Sequence, residues 1–322
     1  MDKKKAIIAY PISDEIRNYV KDHCELIDFD LTNPNRYEEL KSKIREAQGI
    51  IVLATPIDRD LLNSAPNLKV VSNITVGYNN YDIEAMKERG VIGTHSPGIL
   101  DKTVADHILA LILTVGRRIN EQNDFIKSGK WNGMENSNLF SKDISGSQLG
   151  IIGMGRIGEE VAKRAKGFSM DVKYFNRNRK REVEESMGIG YLKMEDLLKT
   201  SDFIVISSPL TDETYHLIGQ EEFSLMKEDA IFINTSRGPV VDEKALIKAL
   251  ENKEIAGAGL DVFEKEPLEK DNPLLLMDNV VLTPHLAGGT KKTMDALAWN
   301  AARSMVESLQ GKRVDSIIPE MK

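Results

Sequence analysis

Three polar residues in the second half of this 322-residue chain each follow an apolar run: Arg237 in NTSRGP, Glu266 in GLDVFEKEP and His285 in TPHLAGG. A cation, a carboxylate and an imidazole are what is needed to anchor an anionic substrate and move a proton. If the strand ends that carry them converge, Glu266 accepts a hydrogen bond from one ring nitrogen of His285, orients the ring and stabilises its cation. The other nitrogen is left to give a proton. Singly, each has a plainer explanation: a surface ion pair for Arg237, a solvated loop charge for Glu266, a capped loop residue behind Pro284 for His285. The residues alone leave both explanations open. His95, His107 and His216 are read as structural hydrogen-bonding groups, Trp299 as core or domain interface, and His23 and Cys24 as a surface junction without chemistry.

A second constellation is built from glycine. The apolar run Leu149 to Ile152 enters Gly153, Gly155 and Gly158 in the spacing G-x-G-x-x-G, with Met154, Arg156 and Ile157 between them. Ile157, Val161, Ala162 and Ala165 then recur at helical intervals, and Val172 to Phe175 reads as a second strand. In such a βαβ unit the first glycine turns the chain, the second admits a pyrophosphate to bare backbone, and the third seats the helix on the sheet. The helix N-terminus offers N–H groups to the phosphates. An NAD site of this type places an acid about 20 residues after the turn, on the ribose 2′-hydroxyl. Here the strand ends in Asn176, Arg177, Asn178 and Arg179, with no acid before Glu182. Two asparagine donors and two guanidinium groups suit a 2′-phosphate, so NADP(H) is expected ahead of NAD(H).

These residues need a frame to position them. Lys5 to Ala9, Glu25 to Phe29, Gly49 to Ala54, Leu68 to Ile74 and Val91 to Thr94 read as strands, with helical patterns at Glu15 to Lys21, Tyr37 to Ala47 and Ile83 to Arg89. One long helix is expected from Ile99 to Phe125, followed by an extended connection, Ser128 to Ser147, that holds Trp131 and Phe140. Strands resume at Asp202 to Ile206, Ala230 to Asn234, Glu254 to Leu260 and Val280 to Thr283, with helices at Met194 to Lys199, Gln220 to Met226 and Asp242 to Glu251. A last helix, Lys291 to Gln310, would carry the chain back. The expected fold is α/β, with two doubly wound parallel sheets. Residues 1–98 and 290–322 form one domain, residues 99–289 a dinucleotide-binding Rossmann domain inserted in it, and the ligands lie in a cleft between them.

Composition narrows the function. A net charge of −7 gives no electrostatic footprint for nucleic acid or an anionic membrane. No run approaches the roughly 20 apolar residues of a membrane span, and the apolar stretch before Pro11 is too short for a signal peptide. Cys24 is the only cysteine, so an internal disulfide is excluded and no metal-ligand set is expected. A cytoplasmic location is the default.

The ordered set GMGRIG, NTSRGP, GLDVFEKEP and TPHLAGG, with ITVGYNNYDIE and DKTVADHILALILTVGRR before it, resembles the D-isomer-specific 2-hydroxyacid dehydrogenases over nearly the whole chain. The resemblance implies a flavodoxin-like substrate domain carrying the inserted Rossmann domain. It gives Arg237 to the substrate's carboxylate and carbonyl oxygen, His285 to acid/base work and Glu266 to the support of that histidine. The backbone of Val76 and Gly77 would bind the carboxylate from the opposite side of the cleft. Thr103, Pro209, Thr235, Ser236, Asp261 and Ala287 would line the cofactor's path, with Asp261 meeting the nicotinamide amide. Hydride would pass from the dihydronicotinamide to C2 of a 2-oxo acid as His285 protonates the carbonyl oxygen, and closure of the cleft would exclude water. Relatives acting on formate lack the glutamate, so Glu266 argues against that reaction.

Asn79 and Asn80, and Ser207 and Ser208, depart from the residues usual in the family and bear on substrate detail. Relatives that oxidise 3-phosphoglycerate often have an arginine where this chain has Asn73; the turn resembles instead that of glyoxylate and hydroxypyruvate reductases, whose substrates are small and unphosphorylated. D-3-phosphoglycerate dehydrogenase or another D-2-hydroxyacid dehydrogenase is the alternative, and a nucleotide-sensing binding protein, like the animal corepressors that resemble this family, the more distant one. A homodimer through the nucleotide domain is expected from the resemblance and from Trp131 and Phe140, aromatics that a local cover over the same domain would equally explain.

Overall fold

The structure, a computed structural model, describes residues 3–133 and 136–322; Met134 and Glu135 of the Ser128 to Ser147 connection, and Met1 and Asp2 of the N-terminal stretch, lie outside the described residues. The chain forms two compact units, Met1–Leu100 with Gly289–Lys322, and Asp101–Gly288.

The first unit holds β1 (Lys4–Ile8), β2 (Cys24–Leu26), β3 (Gly49–Val52), β4 (Val70–Asn73) and β5 (Ile92–Thr94). They form one parallel sheet in the order β2-β1-β3-β4-β5, the doubly wound flavodoxin-like order. Runs such as GIIV and VVSN are buried throughout, as strands covered by helices on both faces must be. The C-terminal helix Lys291–Leu309 returns to this unit and packs Leu297, Ala298, Ala301 and Met305 against Ile8, Ile51 and Val70.

The second unit holds β6 (Gln148–Ile152), β7 (Asp171–Phe175), β8 (Gly190–Tyr191), β9 (Phe203–Ile206), β10 (Ile231–Asn234), β11 (Gly257–Leu260) and β12 (Val280–Leu282). The order is β12-β11-β10-β9-β6-β7-β8, all parallel, so the sheet reverses direction of growth between β6 and β9. That is the Rossmann order with one more strand, and its ligand crevice belongs at the carboxyl ends beside the switch point. The core beneath is made by Leu197, Ile204, Phe223, Phe232 and Leu246 from strands and helices together.

Several expectations need correction. The helix expected from Ile99 to Phe125 is two helices, Asp101–Gly116 and Ile119–Lys127. The Gly116 carbonyl accepts the Lys142 N–H, and Arg118 turns left-handed (φ 52°) while its guanidinium donates to Glu121 and to the Asn138 and Phe140 carbonyls. Tyr37 to Ala47 is an α-helix, Arg36–Lys43, closed by one 3-10 turn, and the strand expected from Glu25 stops at Leu26. The short helices Arg59–Asn63 and Arg181–Met187 and the two-residue β8 were not expected. Cys24 is buried at the start of β2, not at the surface, and burial pushes its thiol up. Trp131 and Phe140 are 62% and 77% exposed, so neither covers its own unit. Among the described residues no helix is long and apolar enough to cross a membrane.

Candidate active site

The glycine turn leaves β6 and its shape is dictated by contact. Gly153 has φ 103°, and a Cβ there would stand 2.7 Å from the carbonyl of Ser207, at the end of neighbouring β9. Gly158 faces the Gly153 carbonyl, 2.5 Å from where its own Cβ would be. Above Gly155 there is open space, and as N-cap of the helix Arg156–Gly167 it provides no side-chain cap. Uncapped first-turn N–H groups beside an open backbone fit a pyrophosphate.

The end of β7 is less free than its composition implies. The Asn176 side-chain oxygen accepts the Met154 N–H at 2.6 Å, so Asn176 braces the glycine turn rather than standing clear for a phosphate; Met154 itself is buried. Arg179 donates from Nε and Nη2 to the two oxygens of Glu184, at 2.8 and 2.6 Å, and lies over the Tyr191 ring. Those hydrogen bonds, with the Tyr174 hydroxyl, hold the Glu184 carboxyl down to about 2. Arg179 therefore arrives already paired, by an acid eight residues beyond the asparagine, while Arg177 and Asn178 are exposed. Arg156 pairs with Asp101 at 3.0 Å.

At the carboxyl ends of β10, β11 and β12 the three chemical residues come together. His285 Nδ1 lies 2.7 Å from Glu266 Oε2, and the other oxygen, Oε1, accepts the Phe263 N–H at 3.0 Å. Burial works to raise the Glu266 carboxyl; the bonds from His285 and Phe263, then the charges of His285 and Arg237, outweigh it and hold the group below its ordinary value. Burial lowers the Arg237 guanidinium and Glu266 opposes that, leaving a cation next to the pair. His285 Nε2 has no hydrogen-bond partner among the described residues. The arrangement can hold an anion and deliver one proton.

Among the residues that hold this group, sequence reasoning missed Asn234 and Gly238, gave Asp261 to the cofactor and read His107 as structural. Asn234 donates to the Arg237 carbonyl and accepts from the Ser236 N–H and hydroxyl, which shapes the loop through Thr235. A Cβ on Gly238 would stand 1.7 Å from the Phe263 carbonyl, so only glycine lets the arginine loop lie on the glutamate loop. Asp261 is 0% exposed, and its carboxylate accepts from the Thr283 hydroxyl (2.5 Å) and from the Leu286 and Ala287 N–H groups (2.9 and 2.8 Å). It braces the loop that carries His285, and no oxygen is left exposed for a nicotinamide amide, against expectation. His107 completes the brace with its Nε2 3.0 Å from the Thr283 hydroxyl. His216 pairs with Glu264 at 2.7 Å, and the Pro209 carbonyl accepts the Thr214 hydroxyl. Thr103 lies half-buried on the helix Asp101–Gly116.

In the first unit, Val76 and Gly77 lie in the half-buried turn after β4, and His95 reaches the Val76 carbonyl at 2.8 Å. Asn73, compared above with a phosphate-binding arginine, is buried with its amide on the Gly77 carbonyl and Asn80. Asn80 in turn donates to the Thr55 carbonyl.

Residues 109–287 match the family described as D-isomer specific 2-hydroxyacid dehydrogenase, NAD binding domain. The chain belongs to the D-isomer-specific 2-hydroxyacid dehydrogenases. As a member it is an NAD(P)-dependent oxidoreductase using a nicotinamide cofactor on a small organic acid. Among other dehydrogenases of the family, a glyoxylate reductase of Korarchaeum cryptofilum is 39% identical over 96% of this chain and 94% of its own. A glyoxylate/hydroxypyruvate reductase B of Escherichia coli is 41% identical over 96% of each. The structure of an NADPH-dependent glyoxylate/hydroxypyruvate reductase from Sinorhizobium meliloti, in complex with NADP and malonate, matches with a TM-score of 0.84 at 26% identity, over 99% of this chain and 98% of that one.

Proposed function

We propose that this dehydrogenase reduces glyoxylate or hydroxypyruvate to the D-2-hydroxy acid, with NADPH preferred to NADH. The observation that carries the chemistry is the 2.7 Å contact between His285 Nδ1 and Glu266, beside Arg237. The relatives' names support the substrate. The cofactor preference is supported by the S. meliloti relative and by the absence of an acid from Asn176 to Arg179, at the end of β7.

When bound, the reduced nicotinamide supplies the hydride for C2 of the oxo acid. The glycine turn, with Gly153, Gly155 and Gly158, and the N-terminus of its helix at Arg156 and Ile157 would hold the pyrophosphate, and Arg177 the 2′-phosphate. Arg237 anchors the carboxylate and polarises the carbonyl oxygen. His285, oriented by Glu266, gives that oxygen a proton from Nε2. The first unit, the substrate domain in this reading, contributes the N–H groups of Val76 and Gly77 to the carboxylate. The exposed Trp131, Phe140, Ile119 and Ile126 supply a contact for a homodimer through the second unit. The location is cytoplasmic in the same reading.

Steady-state rates on glyoxylate, hydroxypyruvate, pyruvate and a bulkier oxo acid, each with NADPH and NADH, test the proposal. NADPH with either of the first two should give the highest kcat/KM, and Arg177→Ala should narrow the gap to NADH. His285→Ala should lose a factor of about 10² in turnover and keep its nucleotide affinity. Better use of NADH by the wild type, or activity confined to the larger acids, overturns the corresponding part.

A further inference from the structure

In the turn after β4, three consecutive carbonyls are all taken by groups of the same unit. The Thr75 carbonyl accepts the Ser96 N–H at 2.8 Å, the Val76 carbonyl accepts from His95 Nδ1 at 2.8 Å, and the Gly77 carbonyl accepts from the Thr75 hydroxyl and Asn73 Nδ2 at 2.7 and 3.1 Å. In a planar trans peptide the carbonyl and the next N–H point in opposite directions. These peptides are trans. The N–H groups of Val76, Gly77 and Tyr78 are thereby turned away from those donors, and among the described residues none of them has an acceptor. Three successive unpaired N–H groups on a half-buried turn concentrate positive dipole, and a carboxylate is their natural complement.

The Val76–Gly77 peptide has one anchor among these, and it is His95. The acceptor is a carbonyl, so Nδ1 must carry the proton. His95 follows β5, the neighbour of β4, with Thr94 beside Ser72 in the register, which brings its ring under the turn. It is buried, its backbone N–H donates to the Ser316 carbonyl, its carbonyl accepts from Asn300, and Tyr78 meets its ring edge-on at 5.1 Å. The ring therefore has a fixed place. The anchors of Gly77 set the following peptide and leave this one untouched.

We propose that His95 is a positioning residue for substrate binding: its bond to the Val76 carbonyl holds the Gly77 N–H toward the carboxylate of the oxo acid. The proposal rests on the reading of this turn as a seat for that carboxylate. Sequence alone classed His95 as structural, and its effect on substrate reaches through the backbone.

The test uses the full chain, 15N-labelled at glycine and saturated with reduced nucleotide, titrated with oxamate, an unreactive carboxylate shaped like a small 2-oxo acid. In the wild type the Gly77 amide resonance, identified by its loss in Gly77→Ala, should move on binding. In His95→Leu the oxamate Kd and the KM for glyoxylate should rise about tenfold, the worth of one hydrogen bond to a charged group. The change should fall on KM rather than kcat, and nucleotide affinity should hold. His95→Asn, whose Nδ2 can stand where Nδ1 stood, should recover most of the loss. A Gly77 resonance unmoved by oxamate in the wild type removes the seat and the proposal together. A resonance that moves, with the same oxamate affinity in His95→Leu, leaves the seat and overturns the role of His95. Equal losses of oxamate and nucleotide affinity, not restored by asparagine, also overturn it.

Discussion

Replacing Glu266 by Gln removes the charge of the His285–Glu266 pair and one of its two accepting oxygens: the amide oxygen can accept from the Phe263 N–H or from Nδ1 of the ring, and the N–H₂ faces the other. Two unit charges about 4 Å apart interact by about 1 kcal/mol in water and about 4 kcal/mol near a protein surface. The Glu266 and His285 side chains are 36% and 48% exposed, so solvent screening favours the lower part of that range. About 1–2 kcal/mol of interaction with the imidazolium corresponds to about tenfold in rate. Reduction needs the imidazolium that the carboxylate supports, so Glu266→Gln should lose about tenfold in turnover with nucleotide affinity unchanged. Rates at saturating nucleotide between pH 5.5 and 10 would display it. An unchanged turnover at every pH would refute the argument that Glu266 supports His285. Stability gives a second check with its own sign. The native Glu266 carboxyl lies below its ordinary 4.5, so its contribution is present above that pH and is lost as the pH falls through the depressed native value. The wild type's stability advantage over Glu266→Gln should accordingly shrink in acid.

Two further substitutions probe how the site is held. Gly238→Ala puts a Cβ 1.7 Å from the Phe263 carbonyl, backbone against backbone, and should cost more than about 3 kcal/mol in urea unfolding; a loss under about 1 kcal/mol would mean that the two loops part easily. Asp261→Asn turns an acceptor of three hydrogen bonds into a group that must point an N–H₂ at a donor. It should cost about 2–4 kcal/mol and much of the activity, and unchanged unfolding and rate would show that the loop carrying His285 is held by other means.

Both sheets could be read from the sequence because parallel strands covered on both faces, such as GIIV and FIVI, are runs without a polar side chain between helical periods. What escaped was local. Arg59–Asn63 and Arg181–Met187 span less than two full turns and leave little periodicity to detect. The break at Arg118 depends on a carbonyl diverted to Lys142 and on a guanidinium reaching Asn138, contacts that only the folded chain creates.

The site divides along the same line, with consequences for reading others like it. That Arg237, Glu266 and His285 would converge was legible because each follows a strand end, where a doubly wound sheet brings its loops together. Asp261 and His107 are fixed by a neighbour distant in sequence: Thr283 is 22 residues from Asp261 and 176 from His107. No spacing rule connects such residues, and their types suit many roles. The end of β7 shows the cost of counting charges without that knowledge. Its two arginines looked equivalent, yet Glu184 returns on the next helix to pair with Arg179, while Arg177 has no salt bridge among the described residues. Cofactor selectivity in such a fold therefore depends on which charges the adjoining helix has already neutralised, as well as on the residues that close the second strand.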